Sequence, residues 1–335
     1  MRRWLKVVIG VSALCVGWDL ASARDDGPPP WAWGFTTPAP SSVPPRPPQA
    51  PRDNVKLISV EGSKFQFTEE QILSRSGPAD WFPEDHPTMP DIVAHGRMSA
   101  DPPIQACGLC HRPNGVGRPE NAALAGLPYE YIIRQLIDFR NDLRQTSDPR
   151  KTNTASMASF TKSMTDEEMH AAAAYFSALP VPRTGKVVEA KTIPKVKPAG
   201  GMFLVLEGKE AGTEALGNRI IETPVNAYDF EVTLNPRQTF VAYVPPGSLK
   251  KGEKLVTTGN GKVTACTACH GADLRGLGPI PRLAGRSPIF LVRQMYDMQH
   301  GNRVGAWSPL MAPILGNMTE DDILVAAAYL GSLEP

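Results

Sequence analysis

The sequence predicts a mainly α-helical protein made of two duplicated domains that are joined by a small β-rich segment. The first observation is an internal repeat, in which an offset of 159 positions superposes residues 107–111 on 266–270 and residues 124–126 on 283–285. The second is helical periodicity in both copies, and the third is a set of short β-like runs between them. A chain of 335 residues, of which 41% are hydrophobic, is long enough for two such domains.

The N-terminus has the pattern of a secretory signal peptide. Arg2, Arg3 and Lys6 precede an apolar run over residues 7–16, and the small residues 21–23 follow as a cleavage site. An uncleaved membrane anchor is the alternative, but the run is shorter than the roughly 20 residues that span a bilayer. We therefore expect cleavage after the last of these small residues.

Cleavage would make residues 1–23 the signal peptide and would place the mature protein in the periplasm. It removes three basic residues and one acidic residue, so the formal charge changes from +1 to −1, and it removes Cys15. All four cysteines of the mature chain then lie in the two repeats. A nearly neutral chain without a basic cluster argues against nucleic-acid binding.

Residues 24–54 are rich in proline and are expected to form an extended arm. Trp31, Trp33 and Phe35 interrupt the prolines, and exposed aromatics in such an arm are suited to docking on a neighbouring surface or subunit. A plain tether is the alternative. Residues 55–90 are interpreted as an ordered lead-in to the first repeat.

Each repeat is expected to contain a middle helix and a closing helix. The helices are expected at residues 129–144 and 166–179 in the first unit (residues 91–180) and at residues 288–299 and 320–333 in the second unit (residues 250–335). Thr165 with Glu168, and Thr319 with Asp322, have the spacing of an N-cap and the third helical residue. Both closing helices therefore have a defined start.

The segment between the units, residues 181–249, is expected to be a linker that carries a small β-rich insertion. It begins with lysines and prolines and contains no catalytic motif. Its β-like runs are residues 202–206, 219–222, 230–234 and 239–244.

Cys-x-x-Cys-His occurs twice, at residues 107–111 and 266–270. Two thiols one helical turn apart can each add to a vinyl group of one porphyrin, and the adjacent histidine can bind its iron. The attachment residues are expected to be Cys107, Cys110 and His111 in the first unit, and Cys266, Cys269 and His270 in the second. A single zinc site made by the four cysteines is the alternative, but the two pairs are too far apart in sequence for a zinc ribbon.

These motifs, together with Arg293-Gln294, the sequence from Pro281 to Gly285 and the sequence from Met318 to Asp322, resemble those of class I cytochrome c domains. The pair of units resembles the dihaem cytochromes of the c4 type, which implies two covalently bound haems c. The first unit departs from the pattern at Arg112 and Ala122, which stand where the second unit has glycine and proline.

The resemblance implies a methionine on the opposite face of each iron, and Met157 and Met311 are the expected ligands. Both follow a middle helix and precede a closing helix, in stretches expected to be loops. Met164 and Met318 remain alternatives, whereas Met295 and Met298 fit packing on a helix face better.

A second histidine is the other alternative for the distal ligand. None of the four candidate histidines aligns with a histidine of the other repeat. They are His86, His95, His170 and His300.

The function that this resemblance implies is the transfer of single electrons by a periplasmic dihaem cytochrome, not catalysis. Its partners would be a dehydrogenase or quinol-oxidising complex and an oxidase or reductase. One alternative is a tightly bound electron-transfer subunit of a dehydrogenase complex. The other is a dihaem redox enzyme, either a peroxidase, which needs an open iron position, or a thiosulfate-oxidising cytochrome, which uses an axial ligand such as cysteine.

Overall fold

The computed structural model describes residues 27–40 and 51–335, so the expected signal peptide lies outside the described residues. The α-helices of this part are α1 Glu69–Ile72, α2 Asp91–Ala94, α3 Cys107–His111, α4 Tyr129–Arg140, α5 Thr152–Ser163, α6 Asp166–Ser177, α7 Ser248–Thr258, α8 Thr267–His270, α9 Pro288–Gln299, α10 Ser308–Gly316 and α11 Glu320–Ser332. No helix among the described residues is both long and apolar enough to cross a membrane.

The strands lie outside the two repeats. They are β1 Ile58–Ser59, β2 Gln66–Phe67, β3 Gly185–Glu189, β4 Thr192–Pro194, β5 Val196–Ala199, β6 Met202–Val205, β7 Thr213–Ala215, β8 Ile221–Pro224 and β9 Phe240–Val244. Strand β9 pairs in parallel with β3 and antiparallel with β8, and the other strands form antiparallel pairs β1–β2, β4–β7 and β5–β6.

The middle and closing helices occur where the sequence predicts them, with α4 and α9 in the middle and α6 and α11 at the end of each unit. Thr165 caps α6 and Thr319 caps α11, and both caps are reciprocal capping boxes with Glu168 and Asp322. The first unit has its own core, formed by α2, α4, α6 and the loops between them.

The core of the second unit is larger because other parts of the chain join it. Met202 from β6 and Phe240 from β9 belong to the same cluster of buried residues as α9 and α11. Trp33 from the arm belongs to it as well. The segment between the units is therefore packed against the second unit.

The lead-in has a separate small core with residues 229–234. Ile58, Ile72 and Trp81 are buried there against Val232, and the Trp81 indole donates a hydrogen bond of 2.7 Å to the Thr233 carbonyl. The expected strand over residues 230–234 is wrong, because residues 229–233 form one turn of π-helix instead. Phe230 and Thr233 are both buried in this turn, which an alternating strand would not achieve.

The aromatic residues of the arm are not an exposed docking element, so that expectation is wrong. Residues 30–33 form a 3₁₀ turn whose Trp33 is fully buried, and Trp31 and Phe35 are half-buried. The Trp33 ring lies edge-on to Tyr296 at 5.5 Å, and its indole donates a hydrogen bond of 3.0 Å to Thr146 Oγ1. The large apolar rings are buried within the chain, where they contact both repeat units.

Candidate haem sites

Both Cys-x-x-Cys-His motifs form a single helical turn that ends at a buried histidine. His111 Nδ1 lies 2.8 Å from the Ala122 carbonyl, and His270 Nδ1 lies 2.8 Å from the Pro281 carbonyl. A carbonyl accepts, so each Nδ1 carries the proton and each Nε2 has its lone pair free for a metal. The two imidazoles are therefore oriented in the same way.

This geometry settles which residue in the first unit replaces the second unit's proline. Ala122 supplies the carbonyl that orients His111, and Pro119 does not. The Pro119 carbonyl instead accepts a hydrogen bond from the Arg293 guanidinium of the second unit. The contact to histidine depends on a backbone atom, so it survives the exchange of proline for alanine.

The four thiols are free and lie in two different places. Cys107 contacts the core of the first unit and Cys266 contacts that of the second. Among residues 27–40 and 51–335, no group of three or more His, Cys, Asp or Glu side chains is arranged to hold a metal ion. This arrangement gives no support to a single zinc site.

Burial favours the protonated form of three of the thiols. It raises the pKa of Cys107 to about 12 and the pKa of Cys266 to about 11, and it also raises the pKa of Cys110. Burial lowers the pKa of both His111 and His270, which keeps each imidazole neutral at pH 7. Neutral imidazole is the form that binds iron.

The expected methionine ligands lie on helices, not in loops. Met157 is on α5 and Met311 is on α10, so the expectation of loops is wrong. Each is half-buried, and each packs against the same core as a haem-attachment cysteine, Cys107 or Cys266. Met164 and Met318 are more deeply buried, at the ends of these helices.

Several of the candidate histidines have contacts of their own. His86 Nε2 lies 3.2 Å from an Asp80 carboxylate oxygen, and His170 Nδ1 is hydrogen-bonded to the Tyr129 hydroxyl. His300 stacks on Tyr296 with 3.9 Å between ring centroids. These contacts favour structural roles over iron ligation.

A pair of arginines joins the two units with approximate two-fold symmetry. Arg144 donates to Gln135 Oε1 (2.9 Å) and to Gln294 Oε1 (2.8 Å). Arg303 donates to the same two oxygens, at 2.8 Å and 3.0 Å. The offset of 159 that relates the two motifs also superposes Gln135 on Gln294 and Arg144 on Arg303, and the arginines were not among the expected site residues.

The backbone follows the same symmetry. Residues 144 and 303 form an antiparallel bridge, flanked by hydrogen bonds from Gln145 N to the Asn302 carbonyl (2.5 Å) and from Val304 N to the Leu143 carbonyl (2.8 Å). Asp138 and Asp297 are equivalent residues and follow the same symmetry. Asp297 accepts a hydrogen bond of 2.8 Å from Ser147 N, and Asp138 accepts one from the backbone of the equivalent residue, Ala306.

The two guanidinium groups place positive charge at the boundary between the units. In the described part of the chain, neither Arg144 nor Arg303 forms an ion pair with a carboxylate. Burial and the neighbouring Arg303 lower the pKa of Arg144 to about 9. Partly buried cations that lack a direct ion pair among the described residues make this boundary attractive to further carboxylates.

The relation to known proteins follows from the sequence. The cytochrome c family model matches residues 104–180, which contain the first motif. The chain is 39% identical over 77 residues to cytochrome c-554(548) of Halomonas halodenitrificans, covering 93% of that protein and 23% of this chain. The chain belongs to the cytochrome c family. Membership implies covalently bound haem c, and the motif cysteines with their oriented histidines suit this group.

Two further relatives differ in how much of the cytochrome they match. The thiosulfate dehydrogenase electron acceptor of Stutzerimonas stutzeri is 25% identical over 237 residues, which are 70% of this cytochrome and 82% of that protein. Cytochrome c-552 of Acidithiobacillus ferridurans is 38% identical over 86 residues, which are 25% of this cytochrome and 36% of that protein. This cytochrome thus spans about a third of the latter relative. Electron transfer is the activity common to these proteins.

Proposed function

We propose that the protein is a periplasmic dihaem c-type cytochrome that carries single electrons between a dehydrogenase and a terminal acceptor. The observation that carries the proposal is the duplication of one site. Each unit has a motif helix whose histidine Nδ1 is held at 2.8 Å by a backbone carbonyl. The two sites lie against separate cores, so each unit holds its own haem.

In the first unit, Cys107 and Cys110 bind the porphyrin, and His111 and Met157 bind its iron. In the second unit, Cys266 and Cys269 bind the porphyrin, and His270 and Met311 bind its iron. Haem supplies an iron that cycles between ferric and ferrous states, and a thioether ligand favours the ferrous state. A histidine and a methionine bound to each iron would exclude substrate from it, so electron transfer would be the reaction.

The arginine pair between the units supports the pairing of two haems. Each haem carries carboxylate side chains, and Arg144 and Arg303 are guanidinium groups without an ion-pair partner among the described residues. Gln135 and Gln294 fix both guanidinium groups at the pseudo-symmetry axis. We place the haem carboxylates at this boundary, which brings the two porphyrins toward each other.

The likeness to a thiosulfate dehydrogenase electron acceptor supports a dehydrogenase as the electron donor. That relative matches 237 residues, 70% of this chain, so the likeness extends beyond a single cytochrome domain. We propose that the donor is a periplasmic dehydrogenase of an inorganic sulfur compound and that the acceptor is an oxidase or reductase.

The methionine ligands provide the test. Met157→Ala and Met311→Ala should each open one haem to carbon monoxide, remove half of the weak far-red sulfur-to-iron band and lower the potential of one haem. Visible spectra of the reduced protein with and without carbon monoxide check this, and the mass of the wild-type protein should show two covalently bound haems.

Met164→Ala and Met318→Ala are the matched controls, because both residues lie on the same segments and are more buried. They should lower stability without opening a haem to carbon monoxide. If they open a haem and the first pair does not, the ligands are Met164 and Met318. A mass that corresponds to one haem would contradict the dihaem proposal itself.

A further inference from the structure

The two repeats differ in how much of the loop after the haem motif is covered. In the first unit, residues 112–120 are buried except at Asn114 and Arg118, which are half-buried. In the second unit, residues 271–279 are exposed except at Leu274, which is buried, and at two half-buried glycines. These are equivalent positions in one chain, so the difference arises from what packs on them.

The segment between the units covers the loop of the first unit. Asn114 Nδ2 donates a hydrogen bond of 3.3 Å to the Pro236 carbonyl. Arg118 donates one of 3.2 Å to the Phe230 carbonyl, and its guanidinium lies 4.5 Å from the centre of the Phe230 ring. The loop that follows the haem motif of the first unit is therefore covered by residues 230–236.

The lead-in covers the cysteine side of the same site. Ala106 N donates a hydrogen bond of 2.8 Å to the Arg75 carbonyl. A Cβ atom on Gly108 would lie 3.1 Å from the Val93 carbonyl oxygen and 3.9 Å from Met89 Sδ. Gly108 is buried and Leu109 and Cys110 are half-buried, so the motif helix of the first unit is more covered than that of the second.

The corresponding surface of the second unit is open and apolar. Ala268 and Cys269 are exposed, and Leu277 in the following loop is 61% exposed. Leu310, next to the proposed ligand Met311, is 73% exposed. Cys269 would bind the porphyrin and Met311 its iron, so exposed apolar side chains lie beside both attachment residues in the sequence of the second unit.

This surface carries little net charge. Residues 266–279 contain one acidic residue, Asp273, and one basic residue, Arg275, apart from the buried iron ligand His270. A charged partner would gain no electrostatic binding energy from such a surface. An apolar partner would gain binding energy by burying the leucines. Small apolar contacts of this kind suit short-lived electron-transfer complexes.

We infer that electrons enter and leave the protein through the second unit alone, at a docking face formed by Cys269, Leu277 and Leu310. The partner is a redox protein whose own cofactor is framed by uncharged apolar residues. This inference rests on the proposed function, because it requires a haem in the second unit. The first haem then exchanges electrons only with the second.

Electron self-exchange between oxidised and reduced copies of the holoprotein tests this face, because each copy presents an apolar haem edge to the other. Line broadening in NMR spectra of mixed samples gives the rate. The wild-type rate should change little with ionic strength. Leu277→Glu places like charges opposite each other, so the rate should fall about tenfold at low salt and recover at high salt.

Val225→Glu is the matched control, because Val225 is 64% exposed, is equally apolar and lies outside the docking face. It adds the same charge and should leave the rate unchanged. An equal effect of the two variants, or no effect of Leu277→Glu, would overturn the inference. A stable dimer in sedimentation that Leu277→Glu dissociates would overturn it too, because the occupant would then be a second copy and not a passing redox partner.

Two readouts separate this inference from the proposed function. Haem content by mass and complete reduction by dithionite report whether the second unit holds a redox-active haem at all. If both are normal while self-exchange ignores Leu277→Glu, only the docking face is wrong. If the second haem is missing, the proposed function fails first.

Discussion

Glu222 on β8 is a buried carboxyl group at the contact between the segment 181–249 and the second unit. It is 3% exposed and accepts hydrogen bonds from Ser287 Oγ at 2.7 Å and Ile289 N at 3.3 Å. Burial raises its pKa to about 7, and the charge of Glu120 raises it further. The two hydrogen bonds and the Arg293 charge act in the opposite direction but are weaker than burial.

This pKa makes the stability of the fold depend on pH. The unfolded chain releases the proton near the ordinary value of 4.5, whereas the folded chain keeps it up to about 7. Between these values the folded state binds more protons, so this contribution is fully present below about 4.5 and is lost as the pH rises through about 7. The free energy of unfolding should fall by at most about 1.4 kcal/mol per pH unit in this window.

Glu222→Gln should remove this loss while keeping the hydrogen-bond acceptor. Its stability relative to the wild type should therefore be greater at pH 8 than at pH 5, as measured by guanidinium unfolding at both values. Glu210→Gln, at an exposed position, is the control and should show no such difference. A pH-independent difference for Glu222→Gln would mean that the carboxyl is ionised throughout this range in the folded state.

The residues next to the motifs show what the sequence can and cannot reveal at this scale. Cys107, Cys110 and His111 are adjacent, so their proximity follows from one helical turn. The partner of His111 does not, because the contact comes from the backbone of Ala122 and leaves no side-chain signature. The proline nearest to this position in the first unit is Pro119, which does not make the contact that Pro281 makes in the second.

The first and last helices of the second unit cross closely, and a glycine makes this possible. Helix α7 packs on α11 at Gly252. A Cβ atom there would lie 2.0 Å from the Val325 carbonyl oxygen and 2.7 Å from Tyr329 Cβ. Both neighbours lie on a packed helix, and a carbonyl cannot rotate away without breaking its helix.

Gly252→Ala should therefore destabilise the second unit by about 1 to 3 kcal/mol, even though alanine favours helices. Guanidinium unfolding followed by far-ultraviolet circular dichroism measures this. Gly316→Ala is the matched control in helix α10, because a Cβ atom there would have no neighbour within 4 Å, and it should be neutral or stabilising. Equal effects of the two variants would mean that α7 does not pack on α11 at this distance.

The elements that the sequence predicted well are those with local signals. Helices α6 and α11 begin at capping boxes and α4 and α9 have a helical period, so their positions follow from neighbouring residues. The turn at residues 229–233 has β-forming residues but is fixed by contacts with Trp81, 152 positions away. Such a contact overrides local propensity, which is why a strand was expected there.

At the scale of the molecule, the two units share a symmetric boundary that is closed by the arm. Trp33 contacts Tyr296 of the second unit and Thr146 of the first, and the Ala32 carbonyl accepts a hydrogen bond of 2.9 Å from Arg293. An aromatic residue among prolines is expected to be buried, but the sequence does not indicate whether it packs on its own chain or on another. The position of the arm therefore could not be predicted from composition.

Trp33→Ala should loosen this boundary and the adjoining edge of the second unit's core, and should leave the core of the first unit intact. It leaves a cavity and removes the partner of Thr146, so we expect a loss of about 3 to 5 kcal/mol in the free energy of unfolding. Hydrogen exchange should become faster at the boundary amides of Gln145, Ser147 and Val304, which bond across the units, and should stay unchanged in α6. Phe65→Ala, at an exposed ring, is the control and should leave all of these amides protected. Unchanged exchange in Trp33→Ala would mean that the arginine–glutamine cluster holds the units together without the arm, because the boundary amides would then open independently of Trp33.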